Sequence, residues 1–241
     1  MTVADHSLRV AVSEADVDPA WDEFLADAPG GHHVQISLWA QVKAPSGWRA
    51  VRVIATKGGR IVGGAQLLLR PLAFSQSVGY IAKGPVSPPD DPEVLSALFD
   101  ALQEVRKENR IQHLTVQPPN NGEALVPHLA ERGFRPSIDD VAPSATIRID
   151  LNPSLDDLLG RMKKNHRRSI RLAKREGVTC RTGSEDDLAS FHGLLSMTGQ
   201  RQGFTPPGLD YFTAMWRILN PVGYLQLFVA EYQGEAVSAQ L

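Results

Sequence analysis

The sequence has a single cysteine, Cys180, in 241 residues, so it can form no internal disulfide and offers no cysteine-based zinc cluster. No stretch reaches the roughly 18 consecutive apolar residues that a membrane-crossing helix needs. The opening residues lack the basic-then-apolar order of a signal peptide, so a cytoplasmic protein is expected. No P-loop or G-x-S-x-G pattern occurs. Among the histidines, His32-His33 is the one adjacent pair, and strand neighbours point to opposite faces. No metal and no cofactor are therefore expected. Net charge is small, at −2, but acid is missing from one place. Between Asp157 and Glu176 there is none, while Arg161, Lys163, Lys164, Arg167, Arg168, Arg171, Lys174 and Arg175 all fall there. One basic segment in a near-neutral chain suits local anion binding better than coating DNA.

The remaining composition, 42% hydrophobic and 22% charged, is that of a folded globular chain with one large or two small domains. Alternating apolar residues predict strands at Leu8–Val12, Ala50–Lys57, Ile61–Leu69, Val78–Ile81, Leu114–Val116, Thr146–Leu151, Val178–Arg181, Leu225–Glu231 and Ala236–Leu241. Helical spacing predicts helices at Pro19–Ala28, Pro92–Lys107, Glu123–Arg132, Glu185–Gln200 and Leu209–Asn220, with a short amphipathic stretch at Val34–Val42. Strands and helices in this order give an α+β fold with mixed sheets.

One pattern occurs twice. Ala55-Thr-Lys-Gly-Gly59-Arg-Ile-Val62-Gly63-Gly64 and Ala230-Glu-Tyr-Gln-Gly234-Glu-Ala-Val237-Ser238-Ala239 share A-x3-G-x2-V followed by two small residues. Two copies of one subdomain are expected, at 1–152 and 153–241. The second copy has no sequence after its hairpin, so a partial, poorly stable second subdomain and an inactive 241-residue chain are expected.

Ser154, with Asp157 at the capping-box position, predicts the start of a helix that carries the basic segment over 155–175. At about 100° per residue, Leu158, Leu159, Met162, Ser169, Ile170 and Ala173 share one arc, and the basic residues occupy the other. The expectation is a helix with one packed face and one wholly cationic face. His166 falls on the packed arc, as a core histidine. Cys180, in a predicted strand, is expected as a buried small hydrophobe.

Three clusters could carry chemistry. Trp39 and Lys43 lie one helical turn apart, with Trp48 after a Pro-Ser-Gly turn, and a cation beside an indole can grip a phosphate. Tyr80-Ile-Ala-Lys83-Gly84-Pro85-Val86 is a strand ending in a turn that presents a cation. Tyr211 opens an amphipathic helix after Pro206-Pro207, as core or as a site wall. Arg60-Ile-Val-Gly63-Gly64-Ala65 fits the R-x-x-G-x-A pyrophosphate loop of acetyl-coenzyme A transferases. That loop must open a helix, whereas Gln66-Leu67-Leu68-Leu69 continues as strand, which argues against coenzyme A.

In their order these clusters resemble the Fem-type peptidoglycan aminoacyltransferases. The stretches are Gln35-Ile-Ser-Leu-Trp39-Ala-Gln-Val-Lys43, Tyr80 to Val86, Met162-Lys-Lys-Asn165-His-Arg167-Arg168-Ser-Ile-Arg171 through Val178, Asp210-Tyr211-Phe212 and Phe228-Val229-Ala230-Glu231. The resemblance implies tandem acetyltransferase-like subdomains moving an amino acid from aminoacyl-tRNA to a lipid-linked or nucleotide-linked cell-wall precursor, with peripheral membrane contact and no DNA. It implies that Lys43 meets the precursor's diphosphate, that Tyr211 lines the same cleft, and that Trp39, Lys83 and Gln117 complete the precursor site. It further implies that Lys163, Lys164, Arg167, Arg168 and Arg171 hold tRNA phosphates. The chain departs from relatives at Gln117-Pro118, where an acid can precede the proline, and at Pro207, where an arginine can stand. A coenzyme A-dependent N-acyltransferase and a non-catalytic RNA-binding module remain alternatives.

Overall fold

A computed structural model describes residues 7–88, 91–120, 122–138, 141–145, 147 and 149–241. The chain divides into two compact units, Met1–Ala145 and Thr146–Leu241. No helix among the described residues is long and apolar enough to cross a membrane.

The first unit is built on a five-stranded sheet, ordered β1 (Leu8–Ser13), β2 (Arg49–Lys57), β3 (Arg60–Pro71), β4 (Ser77–Ala82) and β5 (Ile111–Gln117). The first three junctions are antiparallel, and β4 and β5 are parallel. The crossover between them is helix α3 (Pro92–Glu108), started by Asp91, whose carboxylate accepts from the Val94 N–H at 3.2 Å. Val94, Leu95, Leu98, Phe99, Leu102 and Val105 form its buried stripe. That stripe meets Val51, Val53 and Ala55 of β2 and Ala65, Leu67 and Leu69 of β3, every second residue of each strand, and α4 (Leu125–Glu131) adds Leu125 and Leu129 to the same core. The intervening positions, among them Arg52 and Gln66, belong to the opposite face. There lie α1 (Pro19–Asp27) and α2 (Ser37–Lys43), which bury Trp21, Leu25, Ala40 and Val42, and a polar network runs among these apolar contacts.

The centre of that polar contact is Gln35, which is wholly buried. Strands β3 and β4 pair from Pro71↔Ser77 to Leu68↔Tyr80. Two positions further in this register, at Gln66 and Ala82, the Gln35 carboxamide stands between the strands. Its Oε1 accepts from the Gln66 N–H at 2.7 Å, and its Nε2 donates to the carbonyls of Gln66 (3.1 Å) and Ala82 (2.7 Å). One side chain thus supplies the donors and acceptor that a neighbouring strand would have supplied. The strands meet again only at Gly64 and Val86, whose backbones exchange two hydrogen bonds of 2.8 Å. Gln66 continues the network: its Nε2 donates to Ile36 O at 2.8 Å, and its Oε1 accepts from Arg52 Nε at 2.9 Å. Arg52 Nη1 reaches Ala15 O at 2.6 Å, while Nη2 is buried with no partner among the described residues. Desolvation lowers the Arg52 pKa, opposed by Asp18, Asp22 and Asp16 nearby.

The repeated pattern is a repeated structure. Strands β2 and β3 turn at Gly58 and Gly59, both with positive φ. In the second unit β7 (Phe228–Tyr232) and β8 (Glu235–Gln240) turn at Gln233 and Gly234, again both positive. Two left-handed residues make the mirror-image turn whose twist suits a hairpin. The register slips in both: between Ala55 and Thr56 in one copy, and between Ala230 and Glu231 in the other. Val62 and Val237 are the extra residues, at corresponding positions. The fold is α+β, with one such hairpin in each unit.

The second unit carries a three-stranded sheet, ordered β6 (Thr179–Thr182), β7 and β8, so β8 is an edge strand. Its core joins Leu188 and Phe191 of α7 (Leu188–Gln202), Phe212 and Trp216 of α8 (Leu209–Leu219), and Leu227 and Val229. Arg181 ties the sheet to the start of α7, donating to both Asp187 oxygens (2.6 and 2.8 Å) and to Glu231 (2.9 Å).

Several expectations need correction. The basic segment is two helices, α5 (Leu155–Arg161) and α6 (Lys164–Arg175), because Met162 and Lys163 are extended. The break lets Arg167 Nη1 donate to the carbonyls of Gly160 (2.8 Å) and Leu159 (3.4 Å), which close α5. The break also resets the phase of the wheel: α6 has no buried residue, Ile170 and Leu172 are exposed, and so is His166. Cys180 is exposed as well. Ile147, Ile149 and Leu151 are exposed and outside any strand, since alternation alone supplies no hydrogen-bonding neighbour. Thr146 and Arg148 of that expected strand lie outside the described residues. His32 and His33 do not sit on a strand; they open a short 3-10 turn with their rings 4.4 Å apart.

Two outcomes follow. Gln35→Ala leaves the Gln66 N–H and the carbonyls of Gln66 and Ala82 without that partner, at roughly 1–3 kcal/mol for each that water does not reach. Urea unfolding of the first unit is expected to show a loss of about 2–5 kcal/mol; an unchanged midpoint would mean that other groups hold the strands apart. In the second unit the Arg181 guanidinium and Ser184 backbone hold the Asp187 carboxyl well below the usual carboxylate range. Its contribution is therefore complete above the ordinary carboxylate pKa and lost as pH falls below it towards the folded value. Asp187→Asn is expected to weaken the second unit at neutral pH and to flatten its acid sensitivity, read from thermal melts across that range.

Candidate functional site

Helix α2 is anchored at its first residue. Asp22 accepts from the Ser37 N–H at 2.5 Å and from Ser37 Oγ at 2.6 Å, and Trp21 Nε1 donates to Gln35 O at 2.7 Å. This fixes the turn that carries Trp39 and Lys43. Lys43 Nζ lies 5.1 Å from the centre of the Trp39 ring, within cation–π range. His33 meets the same indole edge-on at 5.5 Å. Beneath them Val34, Ala82 and Ala142 form a small buried cluster against which both Trp39 and Tyr80 pack. Trp48 closes edge-on to Tyr80 at 4.8 Å. Expected site residues Trp39 and Lys43 are thus gathered with Tyr80, His33 and Trp48 at the place where β4 leaves β3.

Lys83 follows Ala82 in the segment that detours around Gln35. It has φ 54 and is 3% exposed, and its Nζ donates to Asn120 Oδ1 at 3.0 Å. The expectation of a turn that presents a cation is corrected: the left-handed backbone turns Lys83 inward. Asn120 also lines a cavity of about 240 Å³ with Pro85, Leu95, Pro119 and His128. Gln117, aligned with Ala82 across the parallel ladder, gives both ends of its amide to Ala142: Nε2 donates to the carbonyl and Oε1 accepts from the N–H, each at 2.8 Å. A carboxylate could not make the first of these bonds, which accounts for an amide before Pro118 in this chain.

Tyr211 lies on α8 in the second unit, edge-on to Phe212 at 5.4 Å and partly buried against the core of that unit. Pro207 contributes its carbonyl to His192 Nε2 at 3.1 Å. On α6 and the residue before it, Lys163, Lys164, Arg168 and Arg171 are exposed and Arg167 is half-buried. None of the five forms an ion pair among the described residues, in contrast to Arg181. The residues that sequence reasoning passed over are Gln35 and Asn120. Neither has a local signature, because each acts on backbone or side chain more than thirty residues away.

The glycines of the pyrophosphate-like loop have a packing cause. Arg60 to Ala65 lies within β3, and a Cβ at Gly64 would sit 2.6 Å from both Trp21 Cζ3 and Val53 O. Glycine there lets α1 close on the sheet; no helix N-terminus opens from this segment for a phosphate.

The lipid II:glycine glycyltransferase of Staphylococcus aureus strain MRSA252 is 28% identical over 221 residues, which are 87% of this chain and 52% of that protein. The proteins of the same name from strains NCTC 8325 and COL match equally. The chain therefore spans about half the length of these relatives. The crystal structure of FemX superposes with a TM-score of 0.77 at 25% identity, covering 92% of this chain and 57% of that one. A model of the FemAB family matches residues 18–125 and 130–233, and so runs through both units. The chain belongs to the FemAB family.

Proposed function

We propose that this chain takes part in moving an amino acid from aminoacyl-tRNA to the stem peptide of a lipid-linked peptidoglycan precursor, in building the interpeptide bridge. The observation that carries this reading is the match, across both units, to relatives named for glycyl transfer to lipid II. Trp39 and Lys43 are assigned to the precursor: the ammonium over the indole is a compact point charge for a diphosphate, and the ring supports an adjoining sugar or base. Tyr211 is assigned to the precursor as well. Lys83 and Gln117 are assigned positioning roles, since both side chains are engaged within the first unit. Lys163, Lys164, Arg168 and Arg171 are assigned to tRNA phosphates, with Arg167 shaping the break that separates α6 from α5.

The chemistry suits a protein that aligns reactants. The donor ester is already activated. The stem-peptide amine attacks its carbonyl carbon, the C–N bond forms, the C–O bond to the tRNA ribose breaks, and the amine proton leaves with the ribose oxygen. Holding both polyanions in one geometry removes the entropic part of the barrier, and nearby cations steady the oxyanion that develops.

The test incubates the protein with charged tRNAs and with lipid-linked and nucleotide-linked precursors, and reads product masses. Transfer to the lipid-linked form supports the reading. Tight binding of an acyl-coenzyme A without affinity for aminoacyl-tRNA would replace it with an N-acyltransferase. Salt-dependent RNA binding that survives loss of Lys43, without transfer, would leave an RNA-binding module.

Two variants separate the substrates. Lys164, Arg168 and Arg171 recur at i, i+4 and i+7, one stripe of α6. Reversing all three to Glu is expected to lower the slope of log affinity for tRNA against log salt by about two to three. The melting curve should hold, because the three side chains are exposed; unchanged affinity would return α6 to an ordinary solvated surface. Lys43→Ala is expected to raise KM for the precursor by about tenfold or more, the loss of one charge-assisted contact, with little change for tRNA. Equal effects on both substrates would remove Lys43 from the diphosphate.

A further inference from the structure

The turn joining β3 to β4 has no part in the site described above, yet it is unusual in composition and backbone. Leu72 is 46% exposed and Phe74 is 91% exposed. Phe74 (φ 58, ψ 35) and Ser75 (φ 57) are consecutive left-handed residues, a conformation that side chains with a Cβ avoid. The loop is nonetheless closed by hydrogen bonds, Leu72 N to Gln76 O at 2.8 Å and Gln76 N to Ala73 O at 3.3 Å. An ordered turn therefore holds an aromatic ring in solvent at a conformational cost that a glycine would not bear.

The neighbourhood is cationic. Arg70 precedes the turn on β3, and the Arg110 carbonyl accepts from the Ser77 N–H that follows it. Both guanidiniums are exposed, and neither is ion-paired among the described residues. Lys107, one turn before Arg110, is engaged with Glu104, and Glu108 is the acid beside them. Two apolar side chains at a convex tip are far too small for a stable protein interface of about 800 Å² per partner. They fit insertion at the boundary between lipid headgroups and acyl chains, with arginines at headgroup level.

We propose that the Leu72–Gln76 turn is a membrane wedge, inserting Phe74 and Leu72 into an anionic lipid surface while Arg70 and Arg110 meet the headgroups. This rests on the reading that the precursor is lipid-linked. A wedge on the same unit as Trp39 and Lys43 would hold that unit at the surface where such a precursor resides.

The test is co-sedimentation of the full chain with phosphatidylglycerol vesicles and with phosphatidylcholine vesicles. The chain is expected to partition onto the anionic vesicles. Phe74→Ser is expected to weaken this by about tenfold or more, the worth of one buried aromatic side chain. Arg70→Glu with Arg110→Glu should weaken binding to phosphatidylglycerol and leave the residual binding to phosphatidylcholine unchanged. Phe74→Gly separates docking from folding: glycine suits φ 58, so the melting temperature should hold or rise while vesicle binding is lost. Absence of wild-type binding, Phe74→Ser binding like wild type, or self-association abolished by Phe74→Ser without vesicle binding would each overturn the wedge. Transfer is measured alongside on lipid-linked precursor in vesicles and nucleotide-linked precursor in solution. Vesicle binding through Phe74 without transfer to either, and without affinity for either precursor or for aminoacyl-tRNA, would sink the functional reading and keep the wedge. Transfer to the lipid-linked form with unaltered vesicle binding by Phe74→Ser would do the reverse.

Discussion

Strands β3 and β4 of the first unit part after Leu68 and Tyr80, and two positions further, at Gln66 and Ala82, the carboxamide of Gln35 stands between them. Almost everything in the candidate site depends on that insertion. It carries the turn before α2 into the sheet, so Trp39 and Lys43 come to the point where β4 departs. It obliges residues 82–86 to detour before Val86 rejoins Gly64, and Lys83 lies on that detour. The insertion is stable because each polar atom it buries is paired: Gln35 with Gln66 and Ala82, Gln66 with Ile36 and Arg52. The unpartnered Nη2 of Arg52 is the exception among the described residues, and Asp16, Asp18 and Asp22 offset the charge that this arginine brings inside.

What could be read from sequence follows from how far each interaction reaches. Strands β1 to β5 and helices α1 and α3 were legible, because alternation, Pro at a first turn and Gly-Gly at a reversal act within a few residues. The Trp39–Lys43 pair was legible for the same reason, being one turn of helix. Gln35 was not. Its partners lie at Gln66 and Ala82, and no local property distinguishes a glutamine that replaces a strand from one that faces water. The basic segment failed differently. A wheel drawn through one continuous helix assumes that phase is kept, and the extended residues Met162 and Lys163 break it. Once the phase is lost at Met162–Lys163, the placement of His166 is lost with it.

Arg181 and the basic stripe of α6, both in the second unit, show why basic charge alone did not decide a function. Arg181 stands among Asp187 and Glu231 with short hydrogen bonds to both; it is consumed in joining β6, β7 and the start of α7. Lys164, Arg168 and Arg171 stand on a helix with no acid of its own and no ion pair among the described residues. Surfaces that serve solubility commonly mix signs, and α6 does not. Their self-repulsion is a standing cost, which a polyanion laid along α6 would relieve.

The duplicated hairpin finally shows how one scaffold comes to carry different surfaces. Turn and bulge are the same in both copies, so the local backbone that A-x3-G-x2-V dictates has been kept. The two small residues that follow differ: Gly63 and Gly64 in the first copy, Ser238 and Ala239 in the second. At Gly64 a single Cβ would collide with Trp21 and with the Val53 carbonyl. Glycine at that position is what admits α1 to the sheet, and α1 brings Asp22 to cap α2 and Trp21 to fix the Gln35 backbone. At the corresponding place in the second copy Ala239 carries the Cβ that Gly64 lacks. There Ala239 packs against the core that α7 and α8 form in the second unit, so the two copies share a hairpin and differ in what closes on it.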